Sequence, residues 1–210
     1  MDSFWNNSWE KIEPDRLSRY IGAFDMAPDT AIEYLRSQNA RTICDAGCGC
    51  GIYSLKLAEN GFEVSGFDVS ARAVEIAQRL LKSASQKANL KTASILATGY
   101  EDEWFDCVIS RDVVDHMCKA DGLAAVRELY RITKPGGSVL ITLDHLDEEY
   151  ESEPHVVNSD GDFIFTDGKW KGMVFHPYTE QEIIQGTPHG ASCRIDACED
   201  ELMVKLKKPA

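Results

Sequence analysis

The stretch from Thr42 to Ser70, TICDAGCGCGIYSLKLAENGFEVSGFDVS, reads as a strand, a glycine-rich turn, a helix, a second strand and then an acid at that strand's end. Gly47, Gly49 and Gly51 occupy alternate positions, Asp45 stands two residues ahead of the first, and Asp68 follows Gly47 by 21 residues. A glycine-rich turn after a strand lets the backbone approach a ligand closely, and the next helix offers unpaired N–H groups at its N-terminus. An acid at the end of the second strand can accept hydrogen bonds from a ribose. The stretch is built for a cofactor that carries a nucleoside.

Two kinds of cofactor use such a turn. The dinucleotide fingerprint G-x-G-x-x-G would place its third glycine at position 52, which is Ile52. Here that glycine comes one residue early. Asp45 would repel a diphosphate but suits the ammonium group of an amino acid, directly or through water. DAGCGCG resembles the first motif, D-x-G-x-G-x-G, of the Rossmann-like (class I) S-adenosylmethionine (SAM)-dependent methyltransferases, matching at Asp45, Gly47, Gly49 and Gly51. A nicotinamide or flavin site is the alternative that Ile52 and Asp45 argue against.

At 210 residues the chain suits one domain with a substantial core. Its formal net charge of −13, with no basic run apart from KLKK near the C-terminus, repels phosphate backbones, so no nucleic acid is expected as partner. No run of 18 apolar residues exists, and MDSFWNNSWEKIEPD lacks the basic and apolar regions of a signal peptide. The expectation is a cytoplasmic protein without membrane association, a monomer or homodimer. The seven cysteines are scattered. Cys44, Cys107 and Cys198 read as small core residues. Cys48 and Cys50 flank Gly49, where small residues are needed between close-packed glycines. A thiolate role toward a metal or metalloid is the alternative there, but no second cysteine or histidine pair has ligand spacing, so no metal is expected.

Strand-like and helix-like segments alternate from residue 41 to about residue 143, which predicts a parallel sheet. The strands are RTICDA, FEVSGFDV, TASILA, WFDCVIS and SVLITL. Helices follow from Ile52 to Glu59, after an N-cap at Ser70, briefly near Asp112, and over GLAAVRELYRIT; Pro135-Gly136-Gly137 turns into the fifth strand. Beyond it, LDHLDEEYESEP reads as an acidic loop and GDFIFTDGKWKGMVFHPYT as a hairpin turning at Asp167-Gly168. Thr179 and Glu182 form a capping-box pattern, and SCRIDACE and ELMVKLKK close the chain as an antiparallel pair. The fold class is thus α/β: a Rossmann-like, seven-stranded, mostly parallel sheet with helices on both faces and an antiparallel C-terminal strand pair. Residues 1–40, with Trp5, Trp9, Ile12, Leu17, Tyr20, Ile21 and Phe24 at rough helical spacing, form a helical lid segment or cover the sheet edge. Residues 41–210 form the SAM-binding domain, with a hairpin insertion at about 161–178 whose Trp170 is a lid or a dimer contact.

The resemblance covers about residues 40–143 and implies the site. Gly47, Cys48 and Gly49 run along the methionine part of SAM, Asp45 helps hold its ammonium, Asp68 takes the ribose hydroxyls, and Val69 packs on the adenine. The family's adenine-binding acid after the third strand is replaced by Ala97 or Thr98, so backbone groups with Thr98, or Tyr100 and Glu101, hold the base. Ser110 and Arg111, with Asp112, face the methionine end. His116 falls where many relatives place a histidine near the acceptor and could act as its base, and Tyr20, His145, His176 and Tyr178 are candidate acceptor contacts. Asp106 matches a family acid whose role is structural. The activity implied is transfer of a methyl group to a small-molecule acceptor, leaving S-adenosyl-L-homocysteine (SAH). A SAM-binding protein that does not methylate, and a Rossmann oxidoreductase, are the other readings.

Overall fold

A computed structural model of the chain describes residues 2–12, 30–197 and 201–210. Helices α1 (Asp2–Glu10) and α2 (Thr30–Ser37) precede the sheet. The alternating region then runs β1 (Thr42–Ala46), α3 (Ile52–Glu59), β2 (Glu63–Asp68), α4 (Ala71–Ser83), β3 (Asn89–Thr92), β4 (Phe105–Arg111), α5 (Lys119–Arg131) and β5 (Thr133–Asp144). The C-terminal part adds α6 (Glu148–Ser152), β6 (His155–Val157), β7 (Phe163–Phe165), β8 (Val174–Phe175), α7 (Glu180–Gly186), β9 (Ser192–Ala197) and β10 (Glu201–Lys207).

The main sheet has seven strands in the order β3-β2-β1-β4-β5-β10-β9. The first five are parallel, while β10 pairs antiparallel with both β5 and β9. This is the expected Rossmann-like class. Its two faces follow the strands' period of two. Cys44, Ala46, Val108, Val139 and Ile141 pack against Ala125, Val126 and Leu129 of α5. Ile43, Cys107, Ile109 and Leu140 face the other way, toward Ala31, Ile32 and Leu35 of α2 and Leu57 of α3. Ser70 caps α4 by accepting from the Ala73 N–H at 3.3 Å, and the six apolar positions of that helix's inner face are all buried. The Thr179–Glu182 capping box is present at α7.

Four sequence expectations are corrected. The third strand is not TASILA but Asn89–Thr92, which pairs with β2 from Ser65 to Asp68. It lies at the sheet edge and is half-exposed, so it carries no apolar run, while Ser94–Ala97 forms a turn closed by Ala97 N–H to Ser94 O at 3.1 Å. No short helix opens at Asp112: residues 112–118 form a turn that begins with Asp112 at φ +53°. Pro135-Gly136-Gly137 lies inside β5 rather than before it, with a register shift against β4 between Phe105 and Cys107. The acidic segment after β5 includes a helix, α6, because Asp147 caps it by accepting from the Tyr150 N–H at 2.9 Å and Tyr150 is buried. The expected hairpin exists as β7 and β8, with Phe163 opposite Phe175, and β6 joins it to make a separate three-stranded sheet. That sheet's core stacks Tyr150 on Phe175 with ring centroids 4.1 Å apart and takes in Phe4 and Trp5 of α1. Of the N-terminal aromatic and apolar residues, Leu17, Tyr20, Ile21 and Phe24 lie outside the described residues, as does Cys198. Among the described residues no helix is long and apolar enough to cross a membrane.

Asp106 ties the bottom of β4 to the start of β1. Its carboxylate accepts from the backbone N–H groups of Arg41 and Thr42 at 2.8 and 2.9 Å and from Lys134 Nζ at 2.7 Å. Burial raises its pKa, but these donors outweigh burial and hold it down to about 2. A carboxyl held below its unfolded value stabilises the fold above pH ~4 and loses that contribution as pH falls toward the folded value. Since Lys134 is partly exposed, screening reduces the contribution to about 1–2 kcal/mol. Urea melts of Asp106→Asn are therefore expected to show a deficit of that size at pH 7, narrowing steadily below pH 4; a deficit that does not change with pH would refute the assignment.

Candidate functional site

The strand order reverses between β1 and β4, since β2 and β3 lie to one side and β5 to the other. In sheets wound this way a crevice opens outside the carboxyl ends of the strands at the reversal. A cavity of about 620 Å³ occupies it, a size that suits a nucleoside-bearing small molecule. Four parallel strands contribute residues at or just past their ends: Gly47 and Gly49 after β1, Asp68 and Val69 at β2, Ala93 to Leu96 after β3, and Arg111 to Val113 at β4.

The floor is the glycine turn. The Gly47 and Cys48 N–H groups both donate to Phe67 O, at 2.8 and 2.9 Å, which pins the turn to the end of β2. Asp68 completes the pinning: Oδ2 accepts from Gly49 N–H at 2.9 Å and Oδ1 from Ser70 N–H at 2.8 Å. A carboxylate has about four acceptor positions, so acceptor capacity remains beyond the backbone donors of Gly49, Val69 and Ser70, and the residue lines the cavity. Burial raises the Asp68 pKa, against the backbone donors that lower it. Gly49 is at φ +49°, and a Cβ there would come within 2.9 Å of Trp9 Cζ2. Glycine is therefore required where the indole of α1 closes on the turn.

Asp45 lies just behind the floor, almost wholly buried, and accepts from Ser54 Oγ at 2.5 Å. Burial raises its pKa to about 6, while Ser54 and Arg111 lower it and Asp68 raises it further. Arg111 stands over the Tyr53 ring, 4.8 Å from its centroid. In the turn after β4, His116 is 8% exposed, with Trp5 edge-on at 5.3 Å between ring centroids. Burial lowers the His116 pKa to about 4, only partly opposed by Asp112, so the ring is neutral at pH 7 and a weak base.

Of the residues singled out from the sequence, Gly47, Gly49, Asp68, Val69, Arg111 and His116 line one cavity. Asp45, near the end of β1, and Cys48, within the turn, are buried and do not line the cavity. Ser110 is fully buried and does not reach the cavity. Ala97 and Thr98 fall outside it, because β3 ends at Thr92 and the residues after the strand are Ala93 and Ser94. Thr98 instead ties its loop to α5, donating from Oγ1 to Glu128 at 2.6 Å. His176 and Tyr178 also lie outside: His176 Nδ1 is 2.9 Å from Asp162, and the Tyr178 hydroxyl donates to Lys119 O at 3.3 Å. His145 is half-buried beyond β5 and away from the cavity, and Tyr20 lies outside the described residues. Sequence reasoning missed Ile95, Leu96, Met117 and Asp121 on the wall. Only Ile95 and Leu96 carried a signal, and it was spent on a strand in the wrong place.

Residues 43–137 match a family described as a methyltransferase domain. The chain is 31% identical over 103 residues to a ubiquinone biosynthesis O-methyltransferase of Nitrosospira multiformis, covering 49% of this chain and 42% of that protein. It is 32% identical over 99 residues to the putative methyltransferase YqeM of Bacillus subtilis, covering 47% of this chain and 40% of that one. The chain thus spans less than half the length of these curated relatives. Among solved structures it resembles a SAM-dependent methyltransferase of Methanosarcina mazei, with a TM-score of 0.73 at 20% identity over 87% of this chain and 98% of that one.

Proposed function

We propose that the chain is a member of the Rossmann-like (class I) SAM-dependent methyltransferases and that it moves a methyl group from SAM to a small-molecule acceptor, a reading supported by the methyltransferase-domain match over residues 43–137 and by the methyltransferase relatives. The observation that carries the reading is the cavity floor, where a glycine turn and the carboxylate of Asp68 meet. These residues fit an amino-acid-bearing nucleoside: Asp68 would accept from ribose hydroxyls, and Gly47 and Gly49 would run along the amino-acid part. Asp45, behind the turn beside Arg111, would act on its ammonium through field or water. Ala93, Ser94 and Ile95, rather than Ala97 and Thr98, would border the base with Val69.

When bound, SAM supplies a methyl group already activated by a sulfonium, so the protein's part is positioning and exclusion of water. Trp5 and Trp9 of α1 wall the cavity, which supports a lid role for the N-terminal segment. His116 and Asp112 line the part of the wall that follows β4, on the acceptor side of the proposed arrangement. A small acceptor is supported by the size of the cavity and by the net charge of −13, which disfavours nucleic acid. A cytoplasmic monomer or homodimer is part of the same proposal.

Mass spectrometry of nucleoside carried by the purified protein, followed by SAH release on incubation with SAM and a panel of hydroxyl, amine and thiol acceptors, tests the reading. Acceptor-dependent SAH is expected. SAM bound without SAH release across the panel would make the chain a SAM-binding protein of another kind, and a thermal shift with NAD but none with SAM would overturn the cofactor. His116→Ala is expected to lower turnover at least about tenfold with SAM affinity little changed. Full turnover in that variant would remove His116 from the acceptor wall.

A further inference from the structure

Three side chains converge where the turn after β4 meets the end of β5. Asp115 and His116 come from the turn and Asp144 is the last residue of β5. One ligand atom from each lies within 4.8 Å of the others, and His116 Nε2 is 3.7 Å from Asp144 Oδ2. Donor atoms that share one ion at bond lengths of about 2.0–2.2 Å stand roughly 3–4 Å apart, so the three need little adjustment.

The polar bookkeeping around them is incomplete. Asp115 is 0% exposed; its Oδ2 accepts from Asp144 N–H at 2.7 Å, but Oδ1 has no hydrogen-bond partner among the described residues. His116 Nδ1 is likewise buried without a partner. Asp144 Oδ2 accepts from the Tyr150 hydroxyl at 2.8 Å, which holds that carboxylate toward the cluster. The charges acting on Asp115 are the like charges of Asp144 and Asp112. A buried carboxylate without a full set of donors and beside another of its sign is costly, and a cation removes both costs at once.

We propose that Asp115, His116 and Asp144 form a binding site for a divalent first-row metal ion on the wall of the cavity. One imidazole and two carboxylates suit Mn²⁺, Fe²⁺, Co²⁺ or Zn²⁺ better than the all-oxygen preference of Ca²⁺ or Mg²⁺. Three protein ligands leave coordination positions open. His116 lines the cavity and so joins the cluster to it. An acceptor oxygen bound there would become more acidic, the role a metal plays as a Lewis acid. That use rests on the methyltransferase reading; binding of the ion does not.

The test is titration of the EDTA-stripped, dialysed full chain with Co²⁺, followed by visible absorption and equilibrium dialysis, with Mn²⁺ as a second probe. One equivalent of Co²⁺ is expected, and Asp115→Asn and Asp144→Asn should each weaken it at least about tenfold. SAH binding, measured by calorimetry on the same samples, reports separately on the cofactor site and on folding. Should Asp115→Asn fail to fold, Asp144→Asn and His116→Gln carry the comparison. Absence of Co²⁺ and Mn²⁺ binding up to about 1 mM, with SAH bound normally, overturns the metal site and leaves the methyltransferase reading standing. Co²⁺ binding of equal strength in the variants also overturns it. Metal binding that the variants weaken, without any SAH binding, upholds the site and counts against the methyltransferase reading alone.

Discussion

Asp68→Ala is expected to weaken SAM binding by at least about tenfold, and more if both ribose hydroxyls bond to the carboxylate, since each hydrogen bond to a charged group contributes about 1.5–3 kcal/mol. The substitution acts twice. It removes the proposed ribose acceptor, and it releases the N–H groups of Gly49 and Ser70 that Asp68 now holds at 2.9 and 2.8 Å. The second effect loosens the turn whose shape the amino-acid part of the ligand needs. Asp68→Asn separates the two: one amide oxygen can still accept from a backbone N–H, so the turn is partly kept while the pair of anionic acceptors is lost. Calorimetry with SAM and SAH should rank wild type above Asp68→Asn above Asp68→Ala. Equal affinity in all three would mean that the nucleoside binds elsewhere.

Gly51→Val should be the most damaging single change to stability in the glycine turn, with an expected loss of about 3–5 kcal/mol. Gly51 sits at φ +81° as the N-cap of α3, a conformation that a β-branched residue resists. Space forbids the side chain as well. A Cβ at this position would lie 2.6 Å from Ala77 Cβ and 2.9 Å from Ala77 Cα, so the backbone of α4 itself would have to move. Overpacking of that kind costs about 1–3 kcal/mol in addition to the strained dihedral. Against a total stability of about 5–15 kcal/mol, the variant should melt at a clearly lower urea concentration with an unchanged slope. An unshifted midpoint would show that α3 and α4 are not packed as described.

The contrast between these two positions explains how much the sequence disclosed. The third glycine of the motif serves the contact between α3 and α4, whereas Asp68 and the first two glycines shape the cavity, yet all sit in one readable stretch because one turn performs both tasks. The parallel strands β1 and β4 were legible because strands buried on both faces are largely apolar, and β2 because it lies between the helix after the glycine turn and the acid Asp68. β3 was not. Asn89–Thr92 lies at the sheet edge, so the apolar signal was carried by Ile95 in the next turn, and the adenine-side expectation moved with it to Ala97 and Thr98. α6 hid within a run of acids, although Asp147 followed by Glu148 and Glu149 is what a helix N-terminus favours. His176 was read as an acceptor contact from its place at the end of the hairpin, but the pairing of Phe163 with Phe175 sets it beside Asp162, 2.9 Å away, and off the cavity. Asp115 and Asp144 drew no attention because only the fold brings the turn after β4 to the end of β5.

β10 runs antiparallel beside β5 over seven residues, from Glu201 opposite Asp144 to Lys207 opposite Ser138. Most of β5 is buried, and it is the longest strand in the sheet. Without β10 it would present an unpaired row of N–H and C=O groups along an apolar ribbon, the kind of border that recruits other chains. Among the described residues the finished sheet has no such border. β3 at one end is short and carries Lys91; β9 at the other carries Arg194 and Asp196. Since synthesis runs from the N-terminus, β5 emerges from the ribosome about sixty residues before the strand that shields it. β5 therefore waits unshielded until residues 201–207 are made, and removal of that strand should be felt as aggregation before it is felt at the cavity.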